Sequence, residues 1–170
     1  MSMPRPEHPR PQFERDNWLN LNGTWTYTFD MGRSGLERGL AESRGFADQI
    51  TVPFCPESEL SGVGHRDFIP AIWYHREITI PEDWADLRVL LHFGAVDYES
   101  EVFIDGKSAG THFGGTVSFT RDITPLVKPG RTHHLVVRVH DDTRSNVQPR
   151  GKQSPCFHSH GCLYTRTTGI

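Results

Sequence analysis

The chain has 170 residues, with 18 Lys and Arg against 21 Asp and Glu and a formal charge of −3 at neutral pH. One domain suits that length, the near balance of charge disfavours a nucleic-acid or anionic-membrane binder, and no apolar run reaches the roughly 18 residues of a spanning helix. The turn formers, 16 Gly and 12 Pro, fit many short strands better than a few long helices.

Residues 1–12 are rich in proline and lack an apolar stretch, so they read as a disordered leader rather than a secretory signal. Residues 13–170 then form one domain. Trp25, Tyr27 and Phe29 alternate with threonines, the pattern of a strand. The stretch from Gly32 to Gly45 is loop or short helix. Ile50-Thr51-Val52 is a brief strand ending at Pro53. Alternation predicts further strands over 73–80 and 87–93. Glu99 to Ile104 is another, followed by Asp105-Gly106, a two-residue hairpin signal because glycine tolerates positive φ. Leu135, Val137 and Val139 mark the last. Asp83 to Leu87 and Asp122 to Val127 suit one helical turn each. The period-2 segments predict an all-β sandwich of antiparallel strands. The three cysteines, Cys55, Cys156 and Cys162, are too few and odd in number for a disulfide scaffold. With no export signal read, the expected location is cytoplasmic.

Several ordered segments resemble the N-terminal sugar-binding domain of glycoside hydrolase family 2. They begin with Trp18-Leu-Asn-Leu-Asn-Gly-Thr-Trp25, Val52 to Gly62, Ile72-Trp-Tyr-His-Arg76 and Leu91 to Asp97. Val102-Phe-Ile-Asp-Gly106, His112-Phe-Gly-Gly115 and Phe119 to Thr124 continue the match, which Arg150-Gly-Lys-Gln153 and Tyr164 to Ile170 close. The resemblance implies a jelly-roll β-sandwich of the galactose-binding-domain type. In that family it precedes an immunoglobulin-like domain and a TIM barrel whose two glutamates perform retaining hydrolysis. A barrel needs about 250 residues, so this chain is expected to lack that catalytic partner and to be inactive alone. It is also expected to lack its last strand, to fray at its C-terminus and to self-associate through the open edge.

The resemblance further implies that an aspartate after the strand ending at Val139, Asp141 or Asp142, reaches a sugar held at the barrel's mouth. Carboxylates suit this because they accept two hydroxyls at once. Arg150, Lys152 and Gln153 are further candidate sugar donors, and the expected ligand is a β-galactoside-like carbohydrate. The acid pairs Glu57 with Glu59 and Glu99 with Glu101 read as solvated surface. Cys156, His158, His160 and Cys162 carry zinc-type ligands, but their spacing departs from the usual zinc patterns, so no metal is expected. No Gly-rich phosphate loop or nucleophile elbow occurs, and no cofactor is expected. A free-standing carbohydrate-binding module and a purely structural or interaction domain are the alternative readings.

Overall fold

The computed structural model describes residues 3–170. Its strands are β1 (Gly23–Phe29), β2 (Asp48–Val52), β3 (Ala71–Thr79), β4 (Leu90–Phe93), β5 (Glu99–Ile104), β6 (Lys107–Phe113), β7 (Phe119–Asp122) and β8 (Thr132–His140). Helical structure among the described residues is confined to short 3-10 turns, including Glu82–Trp84, which overlaps the start of the turn expected over 83–87, and Thr124–Leu126, inside the one expected over 122–127. Six strands form one antiparallel sheet in the order β2-β1-β3-β8-β5-β6, and β4 pairs with β7 in a second. The sandwich expected from the period-2 pattern is therefore present.

Alternation decides which side chains fill the space between the sheets. Ile72, Tyr74 and Ile78 of β3 point inward with Leu135, Val137 and Val139 of β8, meeting Leu91 and Phe93 of β4 and Phe119 of β7. Each such side chain contributes roughly 1.5–3 kcal/mol by leaving water. The outer face of the larger sheet is also covered. Trp73, Phe103 and Val136 are buried there beneath Leu40, Ala41 and Phe46 of the β1–β2 connection. This is why β3 is buried on both faces from Ala71 to His75.

The covering segment is tied down by Asp30. Its carboxylate accepts from the backbone N–H of Ser34 (3.1 Å) and Gly35 (2.7 Å), from Trp73 Nε1 (3.1 Å) and from Arg38 (3.0 Å). Gly35 is required here, since a Cβ would lie 2.3 Å from Trp73 Nε1.

Asp105-Gly106 makes the predicted hairpin between β5 and β6, both residues at positive φ (48° and 79°). The Asp105 carboxylate also accepts from His134 N and from His133 Nδ1. Strands β6 and β7 carry no clear period-2 signal in the sequence, because Gly110 and charged residues interrupt their alternation. Arg121 of β7 donates to the Thr111 carbonyl of β6, joining the two sheets along that edge. Within the expected leader, the carbonyls of Pro4 and Arg5 accept from Asn22 and Asn20, and the His8 ring sits 4.7 Å from that of Trp18. Met1 and Ser2 of that leader lie outside the described residues.

Candidate functional site

Five stretches of chain meet around Asp97: 53–58 after β2, 95–97 before β5, Gly115 between β6 and β7, 141–153 after β8, and 166–170. Sequence separation hides this meeting, and only strand order creates it. The Asp97 side chain accepts from Gln153 Nε2 at 2.7 Å. Its backbone exchanges two hydrogen bonds with Gly169, of 3.0 and 2.9 Å. Asp97 is half-buried, and burial followed by the nearby Asp141 and Glu57 charges pushes its carboxyl up to about 6. Gly115 allows this placement, because a Cβ there would lie 2.1 Å from Asp97 Oδ1.

Asp141 and Asp142, adjacent in sequence, have different environments. Asp141 is buried and its two oxygens accept from Gln148 Nε2 (2.6 Å) and Thr168 Oγ1 (2.9 Å). Burial raises its pKa although both donors oppose the shift. Asp142 is half-exposed; its carboxylate caps Arg144 N at 3.2 Å and lies 3.6 Å from the Arg33 guanidinium. It lines a hollow of about 220 Å³ with Arg33, Tyr98, Glu99, His140 and Gln148.

Glu57, expected at the solvated surface, is buried. Its Oε2 accepts from Thr168 N at 3.1 Å, while Oε1 is buried without a protein partner. Burial raises its pKa. The Tyr74 hydroxyl, held in the core, is likewise unpartnered, and burial raises its pKa strongly. The Glu57–Glu59 spacing points to solvated surface and Tyr74 reads only as a strand residue, because neither position signals in the sequence its burial beside the C-terminal segment. Glu99 and Glu101 instead share Arg138, at 3.3 and 3.1 Å.

Among the other predicted sugar contacts, Gln153 is engaged at both ends of its amide, donating to Asp97 and accepting from Thr167 N at 2.8 Å. Arg150 donates to the Thr143 carbonyl within its own loop, at 3.1 Å. Lys152 is exposed, with its ammonium 6.0 Å from the Tyr164 ring centroid. Cys156, His158, His160 and Cys162 are all exposed, and among the described residues no three His, Cys, Asp or Glu side chains gather to hold a metal. The cysteines are free thiols. The C-terminal segment, expected to fray, is bonded through Thr168 and Gly169, and Ile170 packs against the core.

The result is a groove of about 340 Å³ lined by Pro53, Phe54, Cys55, Ser58, Asp97 and Thr168, among others. An aromatic residue, hydroxyl-bearing residues and a half-buried carboxyl lining one concavity suit a polyhydroxylated ligand. Burial, followed by the Glu57 charge, raises the Cys55 pKa, which keeps its thiol a poor nucleophile.

Residues 19–148 match the family described as glycosyl hydrolases family 2, sugar binding domain. The chain is 32% identical to a β-glucuronidase of Felis catus over 133 residues, covering 72% of this chain and 20% of the relative. A β-glucuronidase of Paenibacillus borealis is 26% identical over 136 residues, covering 78% and 22%. Among solved structures, the β-glucuronidase of Ruminococcus gnavus superposes with a TM-score of 0.65 at 26% identity, over 71% of this chain and 21% of that one. The same enzyme bound to D-glucuronic acid gives the same values. The chain thus spans about a fifth of the length of these relatives.

Proposed function

Because the chain belongs to the sugar-binding domain family of glycosyl hydrolases family 2, we propose that it serves a glycosidase acting on β-glucuronides. The relatives above are β-glucuronidases rather than the β-galactosidases of the sequence-based expectation, and this supports the choice of sugar. In this reading the chain binds and supports, while bond cleavage belongs to a separate catalytic domain. Retaining hydrolysis needs two carboxyl groups about 5–5.5 Å apart facing one glycosidic oxygen. Asp141 is instead spent on internal donors, and Glu57 is buried against Thr168.

The single observation that carries the reading is the half-buried Asp97 carboxyl in its groove beside Phe54 and Ser58. A carboxyl there accepts sugar hydroxyls, and the Phe54 ring offers a contact for an apolar sugar face. Asp142, the more open of the adjacent pair, lines the separate hollow beside Arg33 and Tyr98 and in this reading is the acid of the β8 loop that offers a hydroxyl contact there.

The test is a chemical-shift titration of the 170-residue chain with glucuronic acid and with galactose, alongside a nitrophenyl β-glucuronide assay. Expected are shifts at Phe54, Asp97 and Thr168 with glucuronic acid and no turnover. A stronger response to galactose would refute the choice of sugar. Shifts absent at tens of millimolar would refute the binding role, and turnover by this chain would refute the division of labour.

A further inference from the structure

Away from the groove, two histidines on the outer face of the larger sheet form an unusual pair. His75 of β3 is buried and His134 of β8 half-buried. Their rings stack at 5.2 Å with His75 Nε2 3.0 Å from His134 Nδ1. His75 Nδ1 lies 3.2 Å from Thr26 Oγ1, which accepts the backbone N–H of Phe46 at 3.1 Å. Phe46 belongs to the segment that covers Trp73, Phe103 and Val136. A continuous chain of hydrogen bonds therefore runs from that covering segment to the histidine pair.

Counting protons along this chain gives its behaviour. With both rings neutral, the Thr26 hydroxyl donates to His75 Nδ1 and His75 Nε2–H donates to His134 Nδ1, so both nitrogens of His75 are partnered. One added proton is also accommodated. His75 then donates from Nδ1 to Thr26 Oγ1, and the hydroxyl turns to the His75 carbonyl, 3.5 Å away. A second proton is not accommodated, because it sets two N–H groups against each other across 3.0 Å with like charges in a buried site.

The surrounding groups do not remove this conflict. Glu77 of β3 favours the charged form of His75, but burial and His134 outweigh it and lower the His75 pKa. Asp105, in the β5–β6 turn, accepts from the His134 backbone N–H. β1 presents only the Thr26 hydroxyl, and the covering segment presents the Phe46 ring, edge-on at 6.4 Å.

We infer that the His75–His134 pair is an acid-sensitive latch: it holds one proton with the 43–47 segment docked, and a second proton undocks that segment from the sheet. Neither the fold's assembly nor sugar binding in the groove requires this device, so it stands apart from the proposed function.

The test follows Phe46 amide exchange, corrected for intrinsic rates, in the 170-residue chain from about pH 7.5 to about pH 5. That range lies above the one in which Asp30, lowered by its donors, gains a proton. Imidazole resonances are read in parallel. The His75 imidazole is expected to titrate below the ordinary histidine range. Phe46 protection should fall roughly tenfold with that titration. In His134→Gln, the amide oxygen still accepts from His75 Nε2 but the second proton site is gone, and protection should stay flat. Unchanged protection in the unmodified chain, an equal fall in His134→Gln, or loss of the whole far-UV CD signal over the same range would each overturn the latch.

Discussion

Gln153 and Asp97, 56 residues apart, are joined by a 2.7 Å hydrogen bond, and the other end of the Gln153 amide holds Thr167 N. One side chain thus ties the β4–β5 connection, the loop after β8 and the C-terminal segment into a single wall of the groove.

Gln153→Ala removes the donor from a half-buried carboxyl and the acceptor from a backbone N–H. A loss of about 1–3 kcal/mol in folding stability is expected. Urea unfolding of the chain measures it, and amide exchange at Thr167 should rise in step.

Asp97 makes stability depend on pH in a stated direction. Its folded-state pKa of about 6 lies above the ordinary 3.8. The protonated form therefore favours folding, and that contribution is complete below the ordinary value and lost as pH rises through about 6. Asp97→Asn keeps the acceptor for Gln153 and removes the charge. After discounting for the screening of a half-exposed group, it should match the unmodified chain near pH 4 and exceed it by roughly 1 kcal/mol near pH 8. Thermal melts at the two pH values check this, and equal differences at both would refute it.

The neighbouring aspartates should separate cleanly. Asp141→Ala strips a half-buried donor, Gln148, and a buried one, Thr168, of their acceptor, for an expected cost of about 2–4 kcal/mol. Asp142→Ala removes a half-exposed carboxylate and should cost about 1 kcal/mol or less. Under the proposed function, Asp142→Ala weakens the sugar response while leaving the fold intact. Denaturation and ligand titration on the two variants decide between these outcomes.

Gly35→Ala tests the cover over the outer face. The new Cβ would meet Trp73 Nε1 at 2.3 Å, so either the indole or the Asp30-bound turn must shift. A destabilisation of about 1–3 kcal/mol is expected. A change in tryptophan fluorescence should accompany it, because the indole N–H leaves Asp30.

The amino-acid order by itself determined the class of the fold. The alternation in β1, β3, β5 and β8 survives folding because each strand buries an inner face, and a period of two has no other use. Asp105-Gly106 fixed its hairpin locally through two positive φ angles. The aspartates after β8 were also legible as a pair, through the family resemblance.

Tertiary structure decided the rest. Glu57 looked like a surface acid until Thr168, 111 residues away, donated to it in a buried setting. Asp141 and Asp142 were indistinguishable until burial and the Gln148 and Thr168 donors claimed the first. His75 and His134 became a pair only because β3 and β8 are neighbours in the sheet. Periodicity is a property of one segment, whereas burial, shared protons and shifted carboxyls arise between segments that only the sheet order brings within a few ångströms.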